Sequence, residues 1–596
     1  MDVTRRDFMQ LAGMLSAGTI MSGCASGNSA NPKKIISTRP NDITGESLMD
    51  FESVGNCSIL HICDLHAHLK PLYWREPSTL ISAPNLVGNP GFICGDQFRN
   101  YYNEKPGSIE SYFDTYLNFD ELSKKFGKMG GVAHIKTIAD RVRSEKGEEN
   151  VLFLDSGDTW QGTAVALETG GEAIVEAQND LGIDVMVGHW EFTYGKERVM
   201  ELVDKLHADF IAQNVIDNDP FSDNFEESVF KPYTTKVIGG NKIGIIGQAF
   251  PFTSTANPKH LTEGWSFGIR TESLQSWVDM LREEEKCDAI VVLSHDGFSV
   301  DQEVAKKVNG IDFILSGHTH DPAPRPIVVN NTVIIISGSH GKYVSRLDLD
   351  IKNHKIVDWS YKLIPVASDL IPANPTTQAL VEKLYAPYEK DLSTVIGKTK
   401  NTLYKRDTFY STFDALIGNS IKDVMDSEIS FTPGYRWGTT VVAGDSITKD
   451  HVYDMTAITY PEVYTFDLKG SQLKNLLEDI ADNVFNANPL YQQGGDMSRL
   501  GGITYDIKVG GKAGQRIGNV KINGKSLDLG RNYKVSAWGG NLQNAGENLR
   551  ESMIKPVYDV AIDYISRQGE IDIKTSDTNV NVVDFQNGCP KPQIQL

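Results

Sequence analysis

The chain is poor in cysteine, in basic residues and in long apolar runs, and each shortage closes off a class of function. Its 596 residues hold six cysteines, none in C-x-x-C spacing. Beyond Cys24 these are Cys57, Cys63, Cys94, Cys287 and Cys589, an odd number that argues against a disulfide framework and leaves at most an isolated bridge open. Lys and Arg number 58 against 78 Asp and Glu, a formal charge of −20. Sequence-independent binding to nucleic acid or anionic lipid needs basic surface and is disfavoured. An anionic substrate must therefore be held by a few local cations. After residue 24 no apolar stretch is long enough to span a bilayer, and no internal repeat is visible. What remains is a globular composition, 40% apolar with mean hydropathy −0.29. A chain of this length exceeds the roughly 250–300 residues at which single cores stop growing, so two large domains are expected.

The N-terminus reads as an address. Arg5-Arg6-Asp7-Phe8 precedes an apolar stretch to about Met21, the pattern of a twin-arginine signal, which exports folded proteins to the periplasm. Met21-Ser22-Gly23-Cys24 also fits a lipoprotein cleavage box, which would leave Cys24 as a lipidated membrane tether. Residues 25–54 read as a tether, 55–366 as a metal-bearing domain, 367–395 as a helical linker and 396–596 as a smaller second domain. Within the linker an amphipathic helix over Gln378–Leu392 is expected.

The chemistry is organised around Ile59–Lys70, ILHICDLHAHLK. Four largely apolar residues run into Asp64 and His66, and positions i and i+2 share one face of an extended chain. A buried strand thus delivers a carboxylate and an imidazole to the carboxyl end of a sheet, where open α/β sheets place their ligands. The pattern recurs along the chain: Val151–Leu154 before Gly157-Asp158, Asp184–Val187 before Gly188-His189, Ala289–Leu293 before His295, and Phe313–Leu315 before His318-Thr319-His320. The fold expected from strands alternating with helices and ligand turns is layered α/β, with the chemistry on one rim. Asp64, His66, Asp158, His189, His295, His318 and His320 are the oxygen and nitrogen donors that two divalent ions need when one carboxylate bridges them. Such donors suit manganese, iron or zinc, and the sequence does not choose between them. His134, on an apolar helix face, is expected to be structural, and His340 is either a further rim contact or an ordinary loop histidine. Pro71–Lys128 reads as a long irregular flap beside the site.

DLH, GD, GH, SHDG and GHTH, in this order and each behind a strand, resemble the calcineurin-type metallophosphoesterases, in particular the 5′-nucleotidase branch. That resemblance implies a four-layered α/β/β/α metal domain followed by an α/β substrate domain. It also implies Asp64, His66, His320 and bridging Asp158 on one metal, and Asp158, His189, His295 and His318 on the other. Nucleotidases read Gly-Asn-His-Glu-Phe-Asp where this chain reads Gly188-His189-Trp190-Glu191-Phe192-Thr193. A ligand is retained as His189, but the His and Asp that assist a leaving alkoxide have become Trp190 and Thr193. A thiolate is less basic and leaves without an acid.

DLHAHLKPLYWREPS, KKFGKMGGVAHI, GHWEFTYG and QQGGDMSRLGG are similar to the SoxB family, thiosulfohydrolases of the Sox sulfur-oxidation system. The resemblance implies attack by a dimetal-bound hydroxide on the sulfone sulfur of a cysteine-S-thiosulfonate carried by the Sox carrier protein, releasing sulfate. Asp158, His189, Trp190 and Arg436 are then the catalytic candidates, and Asn214, Arg436, Arg499 and Trp190 the substrate contacts. Arg436 and Arg499 each lie in a glycine-rich loop of the second domain, Phe431–Gly438 and Gln492–Arg499, and Asn214 is suggested by its position in the nucleotidase branch. A periplasmic 5′-nucleotidase is the alternative enzyme; it predicts an adenine clamp of two stacked aromatics in the second domain, for which Tyr435, Trp437 or Tyr491 could be mistaken. A metal-stabilised carrier-binding protein without turnover is the alternative outside enzymes.

Overall fold

The computed structural model describes residues 43–540 and 542–585, together with the two-residue strand Val3–Thr4. The export signal, Cys24, most of the tether and Cys589 lie outside them. Two sheets form the first unit. One runs in the order Val3–Thr4, Lys355–Pro365, Tyr343–Lys352, Cys57–Ile62, Val151–Asp155, Val185–Met186, Asp209–Phe210, and its last four strands are parallel. The other runs Ile327–Val329, Thr332–Ile336, Phe313–Ser316, Ala289–Ser294, Asn241–Gln248, Tyr233–Ile238, with four parallel strands in its middle.

The side-chain period of two explains the layering. Cys57, Ile59, Leu152 and Leu154 point inward and pack against Ile243, Ile245, Val291, Leu293, Phe313 and Leu315 of the facing sheet. The alternate residues Leu60, Ile62 and Phe153 point outward onto helices Val132–Lys146 and Glu172–Leu181. Ile246, Ile290, Val292 and Ile314 meet helices Thr271–Glu283 and Phe298–Lys307 on the other side. Helix, sheet, sheet, helix is the expected α/β/β/α arrangement. Strands buried on both faces read as continuous apolar runs, which is why they stand out in the sequence.

Two local readings need correction. Pro71–Lys128 is not irregular throughout: it carries helices Gly95–Tyr102, Ile109–Asp114 and Phe119–Phe126. Phe119, Leu122 and Phe126 share one buried helix face, a short stripe among the glycines and prolines that obscured it. The linker helix begins at Pro375, capped by the Asn374 side chain accepting from Thr376 and Thr377 N–H at 3.0 and 3.2 Å, and ends at Tyr385. A separate turn, Glu389–Leu392, follows Pro387, which has no N–H to continue the first helix.

The second unit holds a five-stranded, a four-stranded and a three-stranded sheet with helices Thr412–Val424, Lys449–Thr456, Gly470–Val484 and Val557–Gln568. The flap ties it to the first unit: Arg75 N–H donates to Thr440 Oγ1 at 2.9 Å, Ser78 Oγ to Asp407 at 2.8 Å, and the Arg75 guanidinium lies 3.9 Å from the Tyr404 ring centre. Cys57, Cys63, Cys94 and Cys287 are buried, and no disulfide joins them among the described residues. Among the described residues no helix is long and apolar enough to cross a membrane.

Candidate active site

The turns that follow the parallel strands are stitched to one another. Asp64 N–H donates to Gly157 O at 2.8 Å, His66 N–H to Asp158 O at 2.8 Å, and His295 N–H to Gln248 O at 2.8 Å. Five of the expected ligands, Asp64, His66, Asp158, His318 and His320, have φ between 48° and 74°. Non-glycine residues seldom adopt this left-handed conformation, and such strain persists where the surrounding structure enforces it, commonly at functional sites.

All seven expected ligands come together. Asp158, His189, His295 and His318 form one group of four and Asp64, His66, Asp158 and His320 another, each with donor atoms within 4.8 Å of one another, and Asp158 belongs to both. His295 Nε2 lies 2.9 Å and His189 Nδ1 3.1 Å from Asp158, while His66 Nε2 is 3.0 Å from His320 Nε2. His320 Nε2 lies 3.3 Å from Asp64. Every ligand but His318 is buried, and His318 is partly buried.

The electrostatics fit a bound cation. Burial pushes the Asp64 carboxyl up to about 8 and the His66 imidazole down to about 4. Burial also opposes charge on His295, yet Asp158 and Asp64 lift it to about 10, and burial's push on Asp158 is overcome by His189 and His295, which hold it well below the usual range. The Asp158 carboxylate thus draws positive charge into a buried cluster, charge that divalent ions supply directly. His189 Nε2, His318 Nε2 and His320 Nδ1 are buried without a hydrogen-bond partner, further nitrogen capacity around the same centre.

The ligands are held from behind. His295 Nδ1 meets Ser156 O at 2.5 Å, which makes Nδ1 the donor and leaves Nε2 free to ligate. Glu191 was not singled out from the sequence, yet it braces the site: its carboxylate accepts from His189 N–H at 2.7 Å, Asp158 N–H at 3.3 Å, Thr159 N–H at 2.7 Å and Trp160 N–H at 3.2 Å. Phe250 lies against His189 and His318, ring centres 4.1 and 4.2 Å apart. His340 supports from below, stacked on Trp74 at 3.8 Å, its Nε2 accepting from Gly438 N–H at 3.3 Å. His134 is remote and structural, with Nδ1 donating to Ile371 O at 2.6 Å.

Above the cluster lies a cavity of about 310 Å³ between the two units. Its floor is His66, Asp158, His189, His318 and His320, and its walls include Trp190, Phe250, Tyr435, Arg436 and Trp437. Both glycine-rich loops of the second unit reach it, packed side by side through Asp496 N–H on Gly434 O at 3.1 Å. Gly494 sits so close to the floor that a Cβ there would lie 2.0 Å from His318 Nε2. Arg436 donates to Gly495 O at 2.9 Å and to Asp496 at 3.3 Å, and its remaining terminal nitrogen is buried with no partner. Trp190 stacks on His189 with ring centres 4.7 Å apart and meets Trp437 edge-on at 5.4 Å. Thr193 turns away, its hydroxyl donating to Trp190 O at 2.7 Å.

Two expected substrate contacts lie outside the residues that line this cavity. Asn214 is fully buried, with Nδ2 donating to Ala249 O and Gly268 O at 2.7 and 2.8 Å and Oδ1 accepting from Ala249 N–H at 2.8 Å. Its amide closes a loop and does not line the cavity. Arg499 is buried, not at the surface, and is consumed by Asp414 at 3.2 Å, Thr408 O at 3.0 Å, Met497 O at 2.5 Å and Asp407 O. An arginine the sequence left unremarked, Arg406, reaches from the second unit to the metal turn, donating to Thr319 O at 2.6 Å, His320 O at 3.2 Å and Asp321 at 2.7 Å.

The model of the calcineurin-like phosphoesterase family matches residues 57–322, and that of the 5′-nucleotidase C-terminal domain matches residues 395–552. Human 5′-nucleotidase is 25% identical over 74% of this chain and 81% of its own. The trifunctional nucleotide phosphoesterase YfkN of Bacillus subtilis is 26% identical over 70% of this chain, but this chain spans only 30% of that longer protein. A solved 5′-nucleotidase precursor from Thermus thermophilus shares the fold, with TM-score 0.70 and 20% identity over 89% of this chain and all of its own. Fold and site together define a dimetal hydrolase of the calcineurin-like class, in its 5′-nucleotidase branch. The solved sulfate thiohydrolase SoxB of Thermus thermophilus, in complex with glycerol, is 37% identical, covers 91% of this chain and 99% of its own, and superposes with TM-score 0.87. This chain belongs to the SoxB family.

Proposed function

We propose that the protein is an exported thiosulfohydrolase that releases sulfate from a thiosulfonate linked through sulfur to a cysteine of the Sox carrier protein. The observation that carries this reading is the lack of a free acid in the cavity. Among the described residues lining it, the titratable side chains outside the ligand cluster are Tyr435, whose hydroxyl donates to Gly539 O at 3.1 Å, and Arg436 and Asp496, which are paired. Trp190 and Thr193 occupy the positions where nucleotidases carry the assisting His and Asp. An alkoxide leaving group profits from an acid by about 10²–10⁴, whereas a persulfide sulfur departs unaided.

The reaction balances as carrier–S–S–SO₃⁻ plus water giving carrier–S–SH, sulfate and a proton. The bond broken is that between sulfane and sulfone sulfur, its electron pair stays on the sulfane side, and the new bond is sulfur to oxygen. Two divalent ions, manganese being the leading candidate, would be held by the seven ligands and supply an activated water and charge neutralisation at the sulfone oxygens. Arg436 presents its unpartnered N–H groups to one of those oxygens, a charge-assisted contact that fixes the group's orientation. Trp190, Tyr435 and Trp437 wall the sulfur chain and exclude bulk water.

The nucleotidase alternative needs two rings free to sandwich a base. Tyr435 and Trp437 instead stack on one another, centres 4.3 Å apart, and Tyr491 lies exposed outside the cavity. The test is to offer the manganese-loaded protein carrier-bound thiosulfonate and AMP in parallel. Sulfate release without phosphate release supports the proposal; phosphate alone assigns a nucleotidase, and neither product assigns a carrier-binding protein without turnover.

A further inference from the structure

Arg436 is the one lysine or arginine among the described residues that line the main cavity, and its neighbour on the same wall is a carboxylate. Asp496 Oδ1 accepts from Arg436 Nε and from one terminal nitrogen, both at 3.3 Å, and the side chain is 10% exposed. Its second oxygen lies 3.4 Å from Arg499. Arg499 and Lys405 stand behind the wall, outside the residues that line the cavity, where they share Asp414 at 3.2 and 2.5 Å. Arg406 is similarly spent on Asp321 and two carbonyls. The anion therefore meets a guanidinium whose charge is already offset by a carboxylate beside the same space.

We propose that Asp496 is a charge discriminator, setting the cavity to accept a tetrahedral group of charge −1 and to disfavour one of charge −2. This rests on the thiosulfohydrolase reading and deepens it. A terminal sulfonate carries one negative charge, whereas a phosphate monoester and the product sulfate carry two. Each added unit of ligand charge feels the Asp496 carboxylate at short range in a cavity between the two units, where such repulsion is screened less than in open solvent. Specificity is a difference of affinities and is commonly built from a repulsive element of this kind. One carboxylate thereby serves two ends: it turns away phosphate esters that the metal centre alone would welcome, and it weakens the hold on sulfate once the S–S bond has broken.

The test uses methanesulfonate and inorganic sulfate, of similar shape but charge −1 and −2, titrated calorimetrically into the manganese-loaded protein. Asp496→Asn keeps an acceptor for Arg436 and removes the charge, so a residue that only positions the arginine leaves the affinity ratio unchanged. The expected result is at least a tenfold shift of the sulfate-to-methanesulfonate ratio towards sulfate, with a matching rise in sulfate inhibition. An unchanged ratio in a variant that retains both metals overturns the proposal. Asp496→Ser provides the same comparison should the asparagine variant fail to fold. Sulfate release from carrier-bound thiosulfonate by the unaltered protein is measured separately: its failure with a shifted ratio would reject the substrate and keep the discriminator, and its success with an unshifted ratio would do the reverse.

Discussion

The two halves of the cavity are built differently. The floor comes from the first unit, where ligands stand immediately after buried parallel strands and are fixed by backbone turns stitched to one another. The wall comes from the second unit, where two glycine-rich loops bring Arg436, Trp437 and Asp496 to the same space. On the floor, position in a strand pattern is enough to specify a role. On the wall, a role depends on what else has claimed the side chain: Arg436 retains an unpartnered nitrogen, while Arg499, only a short way along the fold, has none to spare.

The largest effect that would break this comparison lies on the floor. Asp158 belongs to both ligand groups, so Asp158→Asn should cost both metals and at least about a thousandfold in turnover, the upper range for one lost electrostatic contact in a transition state. Metal content by mass spectrometry alongside sulfate release checks it; a variant with both metals and wild-type turnover would remove Asp158 from the bridging position.

The wall arginines sharpen the contrast by failing in opposite ways. Arg436→Gln should lower kcat/KM by about 10²–10³ with little change in melting, as expected for a group that touches developing charge. Arg499→Gln should instead cost about 3–5 kcal/mol of stability, because it leaves Asp414 with one fewer partner in a buried ion pair. Denaturation and steady-state kinetics on the pair test this; an Arg499 variant that melts normally but loses substrate affinity would reverse the assignment.

The smallest expected effect concerns Asn214. Replacing it with alanine unpairs Ala249 N–H and two carbonyls, a loss of about 1–3 kcal/mol without a direct effect on substrate affinity. Thermal melting with KM measured in parallel distinguishes this from a substrate contact.

The same contrast explains how far the sequence could be read. Every floor ligand was legible, because a buried strand leaves a continuous apolar run and the residue after it faces the rim. Arg436 was legible as a cation in a glycine-rich loop. Arg499 and Asn214 had equally suggestive settings, and only the hydrogen bonds that consume them separate structure from function. Glu191 was hidden for a related reason. It stands next to Trp190 in a ligand turn, but its work is to hold backbone N–H groups from the turns that carry Asp158 and His189, and no sequence spacing encodes that. The helices within Pro71–Lys128 were obscured by their brevity and by the turn residues between them.

In the proposed reaction the leaving group departs without an acid. This is tested most directly with a series of S-aryl thiosulfates whose thiol pKa values span several units, measuring kcat/KM for sulfate release by the manganese-loaded protein. A steep fall in rate is expected as the leaving thiol becomes more basic. A flat dependence would mean that a proton is delivered to the departing sulfur, and would contradict the proposed reaction.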